Sequence, residues 1–280
     1  MSEPNIRKSP AKFSIPKISY RVWKVWRRNL DVFLKTIKVN FLPSLIEPII
    51  YLVAFGFGLG GFIPPINGKS YVYFLGPALV AIAVMNGSFF ECTFASFVRM
   101  YFQKTFDAIV ATPVSVEEVV AGELLWGATR SMINATIVLA VIAAFGLITG
   151  PMFLLVPLLA FFGGLLFASI AMCFTAIAPN IDFFNYPSFL FITPMLFLAG
   201  TFFPLTSPTL PSSLQSVAMT ILPLTHVVNL SRGLISPGTI EPILGLNPAT
   251  LMLVSIAWLV GVTALFFIVS INLMKKRLTI

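Results

Sequence analysis

A single histidine, His226, serves the whole 280-residue chain, so neither a histidine-based metal site nor a histidine relay is available. It reads either as a buried or capping polar group or as a proton carrier. Cys92 and Cys173 fall in apolar stretches without ligand spacing, which argues against a disulfide or a metal. Gly68-Lys69-Ser70 repeats the tail of a phosphate-cradling loop, yet Ile63 occupies the place of its first glycine. The acids Glu47, Glu91, Glu123, Asp182 and Glu241 are scattered, and all but Glu91 hug the ends of apolar segments. A membrane enzyme needs acids and histidines clustered at one face, and an ion-coupled carrier needs charge partners near the midplane. Neither pattern is present. Glu91 precedes Arg99 by about two helical turns, ~12 Å. It either faces a cavity and meets a polar group there, or reaches towards Arg99 or a neighbouring helix. Glu123 and Arg130, seven residues apart, share a helix face. They either join one charged network or mark the water boundary.

Composition dictates the elements that must position these groups. Hydrophobic residues make up 58% of the chain and charged residues 10%, against ~25% charged in soluble domains. A globule of this size has too little polar surface to cover itself, so lipid is the solvent. Six segments suit a helical crossing, at about 42–61, 72–98, 124–148, 152–178, 187–205 and 249–273, which makes the expected fold an all-α polytopic membrane protein. Gly150-Pro151 splits the uncharged run 131–181 into a helical hairpin. The first 41 residues lack an early apolar run, so no cleavable signal is expected and the first span stays as an anchor.

The net charge of +8 is concentrated in one place. Residues 1–38 form a basic arm with ten Lys/Arg against two acids, and residues 39–280, the six-span body, balance eight against eight. Such an arm favours membrane lipid headgroups over nucleic acid as its partner. With the N-terminus inside, the inner segments carry sixteen Lys/Arg and the outer ones only Lys69 and Arg232. That asymmetry places both termini in the cytoplasm. The segment 206–248 is apolar at its centre but interrupted by Gln215, Pro223, His226 and Asn229, so short re-entrant helices packed on the bundle are expected there.

Within the arm, Trp23, Trp26, Leu30, Leu34, Ile37 and Phe41 share one helical face. Arg21, Lys24, Arg28, Asp31, Lys35 and Lys38 occupy the next. A helix of this kind lies along the headgroup boundary, or else caps another subunit as a soluble helix. Between the second and third spans, Gln103–Ala111 is expected as a short helix stopped by Pro113. Ser115 with Glu118 then forms a capping box that starts the helix of the third span. The short helix protrudes between two long ones and mixes Phe106, Ile109 and Val110 with Lys104 and Asp107. It suits either docking into a partner's groove or lying on the bilayer.

The run Lys104-Thr-Phe-Asp-Ala-Ile-Val-Ala-Thr-Pro-Val-Ser, followed by Gly122-Glu-Leu-Leu-Trp-Gly-Ala-Thr-Arg130, resembles permease subunits of type-2 ABC exporters. Within them it is most similar to the NodJ-type lipooligosaccharide (nodulation-factor) branch. Ala54-Phe-Gly-Phe-Gly-Leu-Gly60, Thr193-Pro194-Met195, Gly200-Thr-Phe-Phe-Pro204 and Pro223-Leu-Thr-His226 agree, over about Tyr20 to Arg277. The resemblance implies a homodimer in the bacterial inner membrane, with two separate ATPase subunits beneath it. ATP and Mg would belong to those subunits, and no cofactor to this chain. It also implies that the helix around Thr105–Ala111 is the coupling helix, with Lys104, Thr105, Phe106, Asp107, Ile109 and Pro113 as coupling residues. Glu123 would sit at a cytoplasmic gate, with Arg130 and Glu91 as further gate candidates, and 206–248 would form the external re-entrant helices.

Phe202 and Phe203, beside Pro204, are candidates for an outer exit, since aromatic faces suit acyl chains and the C–H faces of sugars. Sequence position alone does not separate path from packing. The implied cargo is a lipid-linked oligosaccharide or related amphiphilic glycolipid, with a drug or another lipid as the alternative. A scaffold without an ATPase, a polytopic enzyme and an ion-coupled carrier are the rival classes.

Overall fold

A computed structural model describes residues 15–207 and 211–278. The first fourteen residues of the arm, including Arg7, Lys8 and Lys12, lie outside the described residues. Among the described residues every regular element is helical, and six helices are long and apolar enough to cross a membrane: Phe41–Phe62, Tyr71–Phe102, Val116–Ala144, Pro151–Ile177, Ile181–Leu198 and Pro248–Leu278.

The first helix, α1 (Val22–Tyr51), runs from the arm into the first span without a loop and continues through a π-helical turn, Leu52–Gly58. The second span is α2 (Tyr71–Phe90) extended by two π-helical turns, Glu91–Ala95 and Val98–Phe102. Lys104 then adopts a left-handed conformation (φ 52°), which breaks the chain away from that helix. The short helix α3 (Thr105–Val110) therefore starts two residues later than the sequence pattern suggests. The expected capping box opens α4 (Val116–Ala144): the Glu118 N–H donates to Ser115 Oγ at 3.2 Å, and the Ser115 N–H donates to Glu118 Oε2 at 2.8 Å.

A hairpin at Gly150-Pro151 leads to α5 (Val156–Ile177), and the Thr149 and Gly150 N–H groups both donate to Ile235 O at 2.9 Å. The fifth span differs most from expectation. It begins at Ile181 and is assembled from short pieces, α6 (Asn185–Pro187), a π-helical turn Ser188–Ile192, and α7 (Thr193–Leu198). Gly200, at φ +75°, turns the chain out of the helix, so Phe202, Phe203 and Pro204 follow the span instead of completing it. Two further helices, α8 (Ser212–Ile221) and α9 (Pro223–Ile235), precede α10 (Pro248–Leu278).

The core is α2 with α4 and α5 against it, and α9 packs against α2, α5 and α10 with all thirteen of its residues buried. On α1, the buried stripe is Val22, Val25, Asn29 and Phe33, which faces α4. The Trp23, Leu34, Ile37 and Phe41 face, by contrast, is exposed. The helix thus has three faces: packed, apolar-exposed and basic. The Lys17 N–H and Lys275 Nζ both donate to Glu117 at 2.6 Å, so both ends of the described chain meet at one face of the bundle, called here the basic face.

Candidate functional site

Near the basic face, Gly122 lets α1 lie directly on α4: a Cβ there would stand 2.6 Å from Val25 Cβ and 3.2 Å from Val22 O. This close approach buries Glu123 and places Asn29 over it. Glu123 Oε1 accepts from Asn29 Nδ2 at 2.7 Å, and Oε2 accepts from Ser96 Oγ at 2.7 Å and Arg99 Nη2 at 2.6 Å. Arg99 Nη1 reaches Glu91 Oε1 at 2.8 Å, which also accepts from Trp126 Nε1 at 2.9 Å. One network therefore ties α1, the π-helical end of the second span and α4 together. Such charge-assisted bonds are roughly twice as strong as neutral ones.

Glu91 thus pairs with Arg99 and also lines a cavity, so both of its readings hold at once. Glu123 makes its ion pair with Arg99 rather than Arg130, whose guanidinium lies 4.5 Å from the centroid of Phe33. Beside the network is a cleft of about 440 Å³, lined by Arg28, Phe33, Glu91, Arg99, Trp126 and Arg130 among others. Burial pushes the Arg28 guanidinium below its ordinary range, and the nearby Glu123 charge partly restores it. Sequence reasoning missed Asn29, Ser96 and Trp126. The Glu91–Arg99 spacing was visible beforehand, but nothing local marks Asn29 as the partner of a residue 94 positions away.

The short helix is oriented by one residue. Phe106 is fully buried in the chain's own core, so it anchors α3 and is no part of an outward docking surface, contrary to expectation. Outward lie Lys104, Asp107, Val110 and Pro113, with Thr105 and Ile109 half-buried. The arm grips this loop: Arg28 Nη2 approaches Thr105 Oγ1 at 3.5 Å, and the Arg21 guanidinium donates to Pro113 O.

At the far end, Arg232 is almost completely enclosed. Its Nη1 meets Glu241 Oε1 at 3.3 Å, Nη2 donates to Gly200 O at 2.6 Å, and the guanidinium stacks 3.6 Å from the Phe74 centroid. Glu241 Oε2 accepts from the Thr206 N–H at 3.0 Å and its Oγ1 at 3.2 Å. Phe202 is buried, its carbonyl accepting from Tyr71 Oη at 2.8 Å and its ring packing against Tyr51, Phe55 and Phe197. Phe203 is exposed and Pro204 half-buried, so the three residues split between packing and surface. His226 stacks on Trp258 at 4.2 Å, with Met219 O 3.0 Å from Nε2 and Ser255 Oγ 3.2 Å from Nδ1. A carbonyl only accepts, so Nε2 carries the proton. Burial lowers the His226 pKa to about 4 and keeps the ring neutral. Lys69, in the phosphate-loop look-alike, donates to Thr149 Oγ1 at 3.0 Å and Ser236 Oγ at 3.3 Å and so ties loops together.

Fold and networks define a multi-pass helical membrane protein whose ion pairs gather towards the two ends of the bundle. A protein-family model described as ABC-2 type transporter matches residues 20–235. Nodulation protein J of Rhizobium meliloti (strain 1021) is 39% identical over 220 residues, covering 78% of this chain and 82% of the relative. Nodulation protein J of Sinorhizobium fredii (strain NBRC 101917 / NGR234) is 34% identical over 255 residues, or 91% and 92%. The inner membrane transport permease YadH of Escherichia coli (strain K12) is 23% identical over 182 residues, or 65% and 71%. The chain belongs to the ABC-2 type transporter family: it is a transport protein of the membrane rather than an enzyme.

Proposed function

We propose that the chain is the permease half of an ATP-driven exporter that moves an amphiphilic glycolipid or lipooligosaccharide away from the cytoplasm. The cargo class rests on the similarity to the Nodulation protein J relatives. The observation that carries the mechanism is the Arg99–Glu123 network. Arg99 lies in the last turns of the second span, three residues before Phe102 ends it and the chain passes through Gln103 into α3, and Glu123 lies on the helix that follows. A push on α3 is passed through buried Phe106 to both spans, and the carboxylate of Glu123 exchanges partners as they shift. The cargo must bind the two arrangements with different affinity for the cycle to move it.

In this reading the basic face is cytoplasmic, as the sixteen-to-two Lys/Arg ratio supports. Two ATPase subunits dock there, against Lys104, Asp107, Val110 and Pro113, and hold the ATP and Mg. The exposed apolar face of α1 rests at the headgroup boundary of the bacterial inner membrane, as the end of an arm formed by residues 1–38. The helices within 206–248 dip into the outer leaflet, with exposed Phe203 at the exit. Of the three poorly buried spans, the first, fifth and sixth, the first and fifth supply apolar surface for a second copy, making a homodimer.

Charge reversal at Asp107 (Asp107→Lys) tests the coupling. Transport by vesicles containing the permease and its ATPase should fall at least tenfold while membrane insertion is unchanged; unaltered transport would overturn the assignment. Cysteines placed at Lys69 and Lys275, with Cys92 and Cys173 replaced by Ala, should label from opposite sides of the membrane. Labelling from one side would sink the six-span topology.

A further inference from the structure

Both α1 and α2 pack along α4, while α1 is held to α2 through the turn Leu52–Gly58. The space between the three helices is a groove. Its basic end is the cleft of about 440 Å³ described above, and further along lies a smaller pocket of about 50 Å³. Trp126 and Arg130 on α4 and Phe90 on α2 line the cleft, and the same stripes continue into the smaller pocket as Asn134 and Val138 on α4 and Asn86 and Ile82 on α2. These residues recur every four positions and so stay on one helix face. At the far end Leu52 is fully buried, and a Cβ on Gly56 would stand 3.2 Å from Val72 Cγ2. The groove is therefore open at the basic end and shut at the other.

The smaller pocket is chemically out of place in a membrane span. It brings together Ser44, Glu47, Tyr51, Asn86 and Asn134, with Ser44 Oγ donating to Asn134 Oδ1 at 3.3 Å. Asn86 lies fifteen residues past Tyr71, near the middle of the second span. Glu47 lies six residues past Phe41, ~9 Å into the first span at helical rise. Its side chain is exposed on the flank of that helix. Acyl chains would not tolerate an exposed carboxylate at this depth, so something polar must cover it. No lysine, arginine or histidine lines the pocket, which disfavours an anionic head. A carboxylate, two carboxamides, an aliphatic hydroxyl and a phenol both accept from and donate to neutral hydroxyl groups. About 50 Å³ holds several water-sized groups, the hydroxyls along one edge of a ring, and not a whole ring.

We infer that this pocket is a selectivity station that reads the hydroxyl groups of a neutral, polyhydroxylated head group as it leaves the cleft. Glu47 and the two asparagines make the hydrogen bonds, Tyr51 offers its ring to the C–H face, and the acyl chain stays in lipid. The inference rests on the exporter reading and assigns its cargo a head-group chemistry.

The full-length protein in phosphatidylcholine vesicles provides the test, with octyl glucoside carrying a diazirine on its chain as the photoprobe. Labelling should map to residues 41–51 and be competed by unlabelled octyl glucoside, but not by octyl phosphocholine or an octyl tetraethylene glycol ether. Asn86→Leu and Asn134→Leu should each reduce labelling at least fivefold, whereas Glu47→Gln, which keeps its hydrogen bonds, should retain most of it. If the leucine variants fail to elute as folded protein, Asn86→Ala and Asn134→Ala should give the same loss. Equal competition by all three amphiphiles, or labelling indifferent to these substitutions, would mean that only the chain is recognised and would overturn the proposal. Disulfide formation between two copies of Glu47→Cys would assign the carboxylate to a subunit contact and also overturn it. The assay uses neither ATP nor an ATPase. Head-group selectivity without ATP-driven transport would therefore count against the exporter, and transport without selectivity against the station.

Discussion

Two arginines, one near each end of the bundle, solve the same electrostatic problem under different conditions. Arg99 shares Glu91 and Glu123, beside a cleft of about 440 Å³ from which its side chain remains 14% exposed. Arg232 has Glu241, a carbonyl and the face of Phe74, and its side chain is 1% exposed. The Arg99 network offers Glu123 three donors from two other elements, so one bond can be exchanged while the others hold. The Arg232 network has no such reserve: Arg232 Nε, with Thr225 Oγ1 and Ser231 Oγ, is buried without a hydrogen-bond partner. The network beside the cleft can thus exchange partners and the one around Arg232 cannot, because the cleft reaches only the first.

Removing one partner at each end is the sharpest way to break this contrast. Glu241→Gln leaves Arg232 buried beside a neutral amide and should cost about 3–5 kcal/mol, read as a large drop in thermal unfolding temperature in detergent. A loss below about 1 kcal/mol would mean that water reaches Arg232 and that the contrast is false. Arg99→Gln should cost less, about 2–3 kcal/mol, because Ser96, Asn29 and Trp126 still serve the two carboxylates and the cleft admits water. Its main effect should instead fall on ATP-driven transport, lowered at least tenfold.

The far end should also respond to acid. His226 has its pKa lowered to about 4 from an ordinary 6.5, so the unfolded chain takes up the proton first. The stability that its neutral ring confers is present above pH 6.5 and is lost as pH falls from there towards 4. Between pH 7.5 and 5 the loss should be about 2 kcal/mol, and His226→Gln should flatten the profile; an unchanged slope would exclude His226 as its source. The smallest effect belongs to Lys275, whose bond to Glu117 is partly exposed. Lys275→Ala should change stability by about 0–1 kcal/mol, measurable as a minor shift in the same melts.

How far each element could be read beforehand follows from how local its cause is. The start of α4 was legible because both halves of its capping box lie within four residues. The fifth span was misplaced because its apolar run continues past Leu198, while Gly200 ends the helix through a backbone angle that hydropathy does not encode. Phe106 was assigned to the outer surface because six residues of helix show no face of their own, and only contact with the bundle turns its ring inward. On α1 the pattern of tryptophans and lysines was real, yet Val22, Val25, Asn29 and Phe33 form a third face that becomes visible only against Gly122.

By itself the sequence determined that lipid is the solvent, that six helices cross it, and that the positive charges gather at the two chain ends. Those properties depend on composition and on periods of a few residues, which the bilayer reads directly. The tertiary structure alone decided that Glu123 belongs to Arg99 rather than Arg130, and that Arg232 pairs with Glu241. It alone gathered Ser44, Glu47, Asn86 and Asn134 around one pocket. Those pairings arise where helices distant in sequence approach each other, and the cost of leaving a charge unpartnered in a low dielectric then selects among the neighbours that packing supplies.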